Sequence, residues 1–322
     1  MTAPSIPELA RRVAGREPGA VARAISLVED RRPAAEGTTV ELLRALSAAT
    51  DPFRAARIGI TGPPGVGKST LVSSLAKATR SSGRTVGVLA VDPSSPRSGG
   101  ALLGDRARIE IDPADTGLFV RSMASGGELG GLARAASAAI DVLSAAYDVV
   151  LVETTGVGQS ETDVEHVADT VLLVIQPGSG DVLQFLKAGI IEIPDVFVVN
   201  KGDLGGIAER ALGELSAALA VAHSVNASDI PPVLLTSAST GNGVPELLAA
   251  LDAHRRGLVD TGRLRERRYR ANAAAALRLF VHRWGEQGVH DVGGRAALVA
   301  RLERRVREGA AAVEAASEMK PR

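Results

Sequence analysis

Eight consecutive residues, Gly62-Pro63-Pro64-Gly65-Val66-Gly67-Lys68-Ser69, fit the pattern G-x-x-x-x-G-K-[ST]. Chemically this is a phosphate cradle. Its glycines let backbone N–H groups turn inward, and the N-terminus of a following helix adds positive partial charge. Lys68 is suited to neutralise the β and γ oxygens of a nucleoside triphosphate, and the Ser69 hydroxyl to ligate magnesium. Such a loop works only between a strand and a helix. The apolar run Ile58–Thr61 before it and the helical stretch Ser69–Arg80 after it supply that setting.

Two carboxylates stand where further phosphate chemistry would occur. The valine-rich run ending in Val91-Asp92-Pro93-Ser94-Ser95-Pro96 leaves Asp92 at a strand end. Ligands of open parallel sheets sit beyond the carboxyl ends of strands, so Asp92 reads as a metal or water-positioning group, with a pre-proline turn former as the plainer alternative. The loop Arg97–Arg108 after it is rich in glycine and can reorder around a γ-phosphate. The run Asp148–Val152 leads into Glu153-Thr154-Thr155-Gly156, a carboxylate followed three residues later by glycine. A buried strand-end glutamate needs a charge partner, which magnesium would provide, and the Gly156 N–H can meet the γ-phosphate.

A second set addresses a base. Val196–Val199 leads into Asn200-Lys201-Gly202-Asp203. Asp203 can accept hydrogen bonds from the ring N1–H and exocyclic amine of guanine, and adenine would leave that carboxylate unpaired. Asn200 is placed to tie loops together, and the Lys201 stem to cover the base plane. Thr236-Ser237-Ala238-Ser239 follows another strand-like run, so the backbone at Ser237 and Ala238 can meet the guanine carbonyl.

These residues need a scaffold that brings several strand ends to one edge. Short apolar runs at Ile58–Thr61, Thr85–Val91, Asp148–Val152, Thr170–Ile175, Val196–Val199 and Val233–Thr236 alternate with helical stretches. That pattern predicts an α/β fold of the P-loop NTPase type, a mostly parallel sheet covered on both faces by helices. Residues 1–50 carry helical spacing (Ile6, Leu9, Val13; Val21, Ile25, Val28) and read as a helical N-terminal extension. The P-loop domain is expected over 51–256, and 257–322 reads as a helical C-terminal dimerisation arm. Within it Leu264–Trp284 and Arg295–Ala316 are amphipathic, and Leu277, Phe280, Val281 and Trp284 form the expected dimer seam.

Composition narrows the classes. The 322 residues carry 37 basic and 37 acidic side chains, so no strong positive field favours nucleic acid. There is no cysteine, hence no disulfide or thiolate metal site, and the five histidines show no metal-ligand spacing. No apolar run approaches a membrane span, and the N-terminus lacks the basic-then-apolar plan of a secretory signal, so a cytoplasmic chain is expected.

At these motifs the chain resembles the methylmalonyl-CoA mutase-associated GTPases of the MeaB/ArgK type. The resemblance rests on Gly62–Thr70, Val91–Pro96, Ser98–Arg106, Leu129–Gly131, Glu153–Glu161, Gly178–Gln184 with Lys187, Gly189 and Ile190, and Asn200–Asp203. It implies a GTP-hydrolysing chaperone that docks on an adenosylcobalamin-dependent acyl-CoA mutase, gates cofactor loading, protects the mutase and dimerises through its helical arm. It further implies that Thr70 belongs to the nucleotide loop. Ser69, Asp92, Asp105 and Glu153 would form the magnesium shell, and Lys68 and Gly156 would complete the catalytic set. Gly178–Ile190 would be a switch that contacts the partner. Thr155, Gly202 and Gln184–Lys187 depart from the family's usual form, which leaves the client mutase open. Two other readings compete: a nickel-insertion-type maturation GTPase, and a small-molecule kinase of amino-acid transport.

Overall fold

The computed structural model describes residues 4–30, 32–92, 115–124, 135–154, 164–178, 192–222 and 230–321. Among the described residues seven strands form one sheet: β1 (Ala56–Thr61), β2 (Val86–Asp92), β3 (Leu118–Ala124), β4 (Val149–Glu153), β5 (Thr170–Ile175), β6 (Val196–Val199) and β7 (Val233–Leu235). Their order is β3-β2-β4-β1-β5-β6-β7 and every pairing is parallel. β1, which feeds the phosphate loop, therefore sits in the middle between β4 and β5.

The strands read as unbroken apolar runs because helices cover both faces. Ile58, Ile60, Val88, Leu172 and Val198 pack beneath α4 (Lys68–Ser81) and the later helix Val244–Asp260. On the other face Leu89, Val91, Val150 and Val152 meet α5 (Ala136–Ala146). Three N-terminal helices, α1 (Ile6–Ala14), α2 (Pro18–Glu29) and α3 (Glu36–Ala49), extend that same core with Leu9, Val21, Ile25 and Leu42. Leu173, Ile175, Phe197 and Val199 are covered by α6 (Gly206–Ala222).

Beyond α7 (Val244–Asp260) come α8 (Arg263–Asp291), α9 (Arg295–Arg307) and α10 (Ala312–Glu318). α8 is kinked at Gly285. The single helix expected over Arg295–Ala316 is in fact two, because the chain turns at Gly309, where φ is 100°. These helices share their own core, in which Phe280 is fully buried against Leu298, Leu302 and Ala315. Phe280 is thus filled by its own chain and is not free for a dimer seam, whereas Trp284 remains 41% exposed. None of the helices among the described residues is long and apolar enough to cross a membrane.

One strand has no counterpart in the sequence reading. β3 pairs with β2 at the sheet edge, and only Val120 and Met123 of its seven residues are buried. An edge strand covered in part, with Arg121 and Ser122 interleaved, gives neither a continuous nor a cleanly alternating signal.

Candidate nucleotide site

Four strands deliver the site to one edge of the sheet. β1 ends at Thr61, β4 at Glu153, β6 at Val199 and β7 at Leu235, and all run the same way. The carboxyl edge of a parallel sheet, where the strand order reverses, is where ligands of such folds bind.

The loop after β1 is built by backbone geometry that side chains would block. Gly62 has φ 143°, and a Cβ added there would lie 2.2 Å from the Val174 carbonyl oxygen. Gly65 and Gly67 also have positive φ, and Gly67 caps α4. Lys68, only 8% exposed, folds back so that its ammonium donates to the Gly62 and Pro63 carbonyls at 2.8 and 2.9 Å. One residue on, the Ser69 hydroxyl donates to Glu153 Oε1 at 2.7 Å. Glu153 is 3% exposed, so a hydroxyl and a carboxylate, both hard oxygen donors, meet in a buried position beside the loop. Thr154 then locks β4 to β1, its amide donating to the Ile60 carbonyl and its hydroxyl to Thr61 Oγ1.

Asn200 is the hub between the two halves of the site. Its Nδ2 donates to the Val66 carbonyl at 2.9 Å, while its Oδ1 accepts from the Ala238 amide at 3.0 Å and the Thr236 hydroxyl at 3.4 Å. A buried amide with both ends satisfied holds the phosphate loop, the β6 end and the β7 loop in one register. Ser74 of α4 adds a bond to the Ala238 carbonyl. Lys201, in left-handed backbone conformation, donates to the Gly65 carbonyl at 2.9 Å and to Gln176 Oε1 at 2.5 Å.

Asp203 lies exposed on the turn Gly202–Leu204. Its Oδ1 accepts from the Ser237 hydroxyl at 2.6 Å, and Ser237 in turn meets Ser239 Oγ at 3.0 Å. The Ser237 hydrogen bond, followed by the Asp203 amide and the nearby Lys201 charge, holds the carboxyl below its ordinary range, so it is ionised at neutral pH.

The residues singled out from the sequence fall into two groups. Gly62, Pro63, Pro64, Gly65, Val66, Gly67, Lys68, Ser69, Thr70, Glu153, Asn200, Lys201, Asp203, Ser237 and Ala238 share this one edge. Asp92 closes β2 at the same edge, but its side chain, Asp105, Gly156 and Lys187 lie outside the described residues. Gln176 was not singled out from the sequence. It belongs to no motif, and its only signal is its place directly after β5, between the strands that carry the phosphate loop and the base loop.

Comparison with known proteins gives the same picture. The family model described as methylmalonyl-CoA mutase-associated GTPase MeaB matches residues 21–287. A protein of Pyrococcus abyssi named as a GTPase is 46% identical over 267 residues, 82% of this chain and 80% of that protein. GTPase ArgK of Escherichia coli is 36% identical over 267 residues, 81% and 80% of the two chains. A crystal structure of a LAO/AO transport system kinase superposes with a TM-score of 0.70 at 28% identity, covering 95% of this chain and 92% of that one. The chain therefore belongs to the family of methylmalonyl-CoA mutase-associated GTPases of the MeaB type, and is a P-loop GTPase.

Proposed function

We propose that this GTPase acts as a nucleotide-dependent chaperone of an adenosylcobalamin-dependent acyl-CoA mutase, using the site at the carboxyl edge of its sheet. The observation that carries the nucleotide part is the Asn200 hub, which fixes the phosphate loop and the Asp203 turn relative to each other. The family's description supplies the mutase.

In this reading the loop amides from Gly62 to Ser69 and the Lys68 ammonium surround the β and γ phosphates. Lys68 exchanges its bonds to the Gly62 and Pro63 carbonyls for phosphate oxygens. Ser69 and Glu153 are a donor set of hard oxygens that suits magnesium, with Asp92 and Asp105 as further members. Bound magnesium supplies Lewis-acid neutralisation of the charge that develops on the phosphate oxygens. Asp203 accepts from guanine N1–H and its amine, Lys201 lies along the base, and the backbone at Ser237 and Ala238 faces the guanine carbonyl. Gly156 follows Glu153 and offers its N–H to the γ-phosphate. The chain works as a homodimer.

Coupling to the mutase runs through Gly178–Ile190, which follows β5 and includes Lys187. Adding the cognate mutase is expected to raise GTP turnover, and nucleotide state to change mutase affinity by the reciprocal amount. Lys187→Ala should blunt the stimulated rate while basal hydrolysis and GDP affinity stay near the parent values. Turnover unaffected by any acyl-CoA mutase would remove the chaperone reading and leave the GTPase.

A further inference from the structure

At the opposite edge of the sheet from the nucleotide site lies a buried cluster of charge. Asp169, just before β5, is 1% exposed on its side chain and accepts from Arg268 Nε at 2.7 Å, from Arg268 Nη2 at 2.5 Å and from Arg255 at 3.2 Å. The Arg57 amide donates to the same carboxylate at 2.9 Å, and Arg57 Nη2 donates to Asp141 of α5 at 2.8 Å. Three guanidinium groups thus share two carboxylates. Burial, and then the neighbouring Arg268 charge, hold the Arg57 guanidinium below its ordinary value.

A cavity of about 150 Å³ opens beside this cluster, between α3, α5 and the C-terminal helices. Arg57 and Ser144 both line it, and they are 7% and 3% exposed. Arg57 Nε and Ser144 Oγ are buried and have no hydrogen-bond partner among the described residues. The chain itself supplies neither donor with an acceptor, so each needs one from whatever fills the cavity. The rest of the wall combines an apolar part, with Leu43, Phe53, Ala145 and Val306, and a charged part in which Arg44 and Arg268 stand beside the carboxylates of Asp141 and Glu314.

We propose that this cavity is a binding site for a small monocarboxylate with a short apolar body. The carboxylate accepts from Arg57 Nε–H and the Ser144 hydroxyl, and the hydrocarbon lies against Leu43, Phe53 and Val306. A carboxylate has the acceptors that two neighbouring donors require and the sign that three arginines against two carboxylates favour. The volume is of the size that accommodates benzene in an engineered apolar cavity, which limits the ligand to a handful of heavy atoms. An inorganic oxyanion would leave the apolar wall unused. Because α3, α5, α8 and α9 all contribute to the wall, occupancy ties the terminal helices to the sheet and raises thermal stability. The site stands apart from the GTPase reading.

Sodium valerate is a suitable probe, tested by calorimetry and thermal melting on the full chain with GDP bound. Saturable one-to-one binding in the millimolar range and a rise in melting temperature are expected. Valerate should bind at least about tenfold tighter than acetate, since even one added methylene brings about that much in an apolar pocket. Ser144→Leu, which fills the cavity, should abolish binding, and Ser144→Ala should weaken it severalfold, both with GDP affinity unchanged. Ser144→Ala leaves the packing nearly intact, so the test does not depend on the larger variant folding. No saturable binding by the parent would show that the cavity takes water only and overturn the proposal. Equal binding by parent and both variants would put valerate elsewhere and overturn it as well.

Discussion

Gly67 and Asn200 approach so closely that no side chain fits between them: a Cβ built on Gly67 would lie 2.6 Å from Asn200 Nδ2. That same amide nitrogen donates to the Val66 carbonyl, so the glycine at the start of α4 is what lets the base-side hub reach the phosphate loop. Gly67→Ala is expected to displace Asn200 and to strain a backbone held at φ 92°. An unsatisfied buried amide costs about 1–3 kcal/mol, so GDP affinity should fall by about fivefold to a hundredfold. A fluorescence titration in which Gly67→Ala binds GDP as tightly as the parent would separate the two halves of the site.

Base selection should rest on Asp203. The Ser237 hydroxyl fixes its carboxylate at 2.6 Å and keeps it ionised, ready for two guanine N–H donors. GDP should bind at least about a hundredfold tighter than ADP, or about 2.7 kcal/mol. Asp203→Asn should move preference towards xanthine nucleotide, whose ring carries an acceptor where guanine has its amine. Equal GDP and ADP affinities by calorimetry would refute the assignment.

On the phosphate side, the bond from Ser69 to Glu153 places two magnesium donors side by side. Ser69→Ala should show its loss as a flattened dependence of GTP hydrolysis on magnesium concentration. Lys68→Ala should abolish hydrolysis and weaken nucleotide binding. Hydrolysis by Lys68→Ala at the parent rate would mean that phosphate is handled elsewhere.

Much of this site is legible in the sequence because parallel strands buried on both faces read as unbroken apolar runs. Thr170–Ile175 and Val196–Val199 stand out at both ends for that reason, and the motifs follow directly from strand ends. β3 escapes notice because an edge strand with Arg121 in it has no periodic signal. Gln176 escapes because a lone polar residue after a strand has no motif to announce it. The cluster of Arg57, Asp169, Arg255 and Arg268 is invisible for another reason: its members come from β1, the start of β5, α7 and α8, and only the folded chain brings them together. Phe280 looks like one more residue of an apolar stripe until α9 and α10 are seen folded onto it.

That last point reshapes the oligomer prediction. With Phe280 buried in its own chain, a homodimer must use what the C-terminal helices leave exposed, and Trp284 is the large apolar side chain there. Light scattering should give about twice the 33.1 kDa chain mass, and Trp284→Ser should shift the equilibrium towards monomer. A parent chain that scatters as a 33.1 kDa particle across the micromolar range would exclude the dimer.

Acid stability should depend on Asp169. Burial alone would raise its carboxyl, but the Arg268 hydrogen bonds, the charges of Arg268 and Arg57 and the Arg57 amide together bring it below the ordinary carboxylate value near 3.9. A group that binds its proton less readily when folded stabilises the fold above its unfolded value. That contribution is lost as pH falls through the lower folded value. Arg57 from β1, Arg255 from α7 and Arg268 from α8 all bond to Asp169, and His254 of α7 feels its charge, so its protonation would leave these cations without their shared counter-charge. Asp169→Asn should cost about 3–5 kcal/mol at neutral pH, the cost of breaking a buried pair from one side. It should also flatten the decline of stability below about pH 4, because the group that titrates there is gone. Urea melts of parent and variant across that range test both expectations. If the variant lost stability with acid as steeply as the parent, the acid transition would belong to other carboxylates.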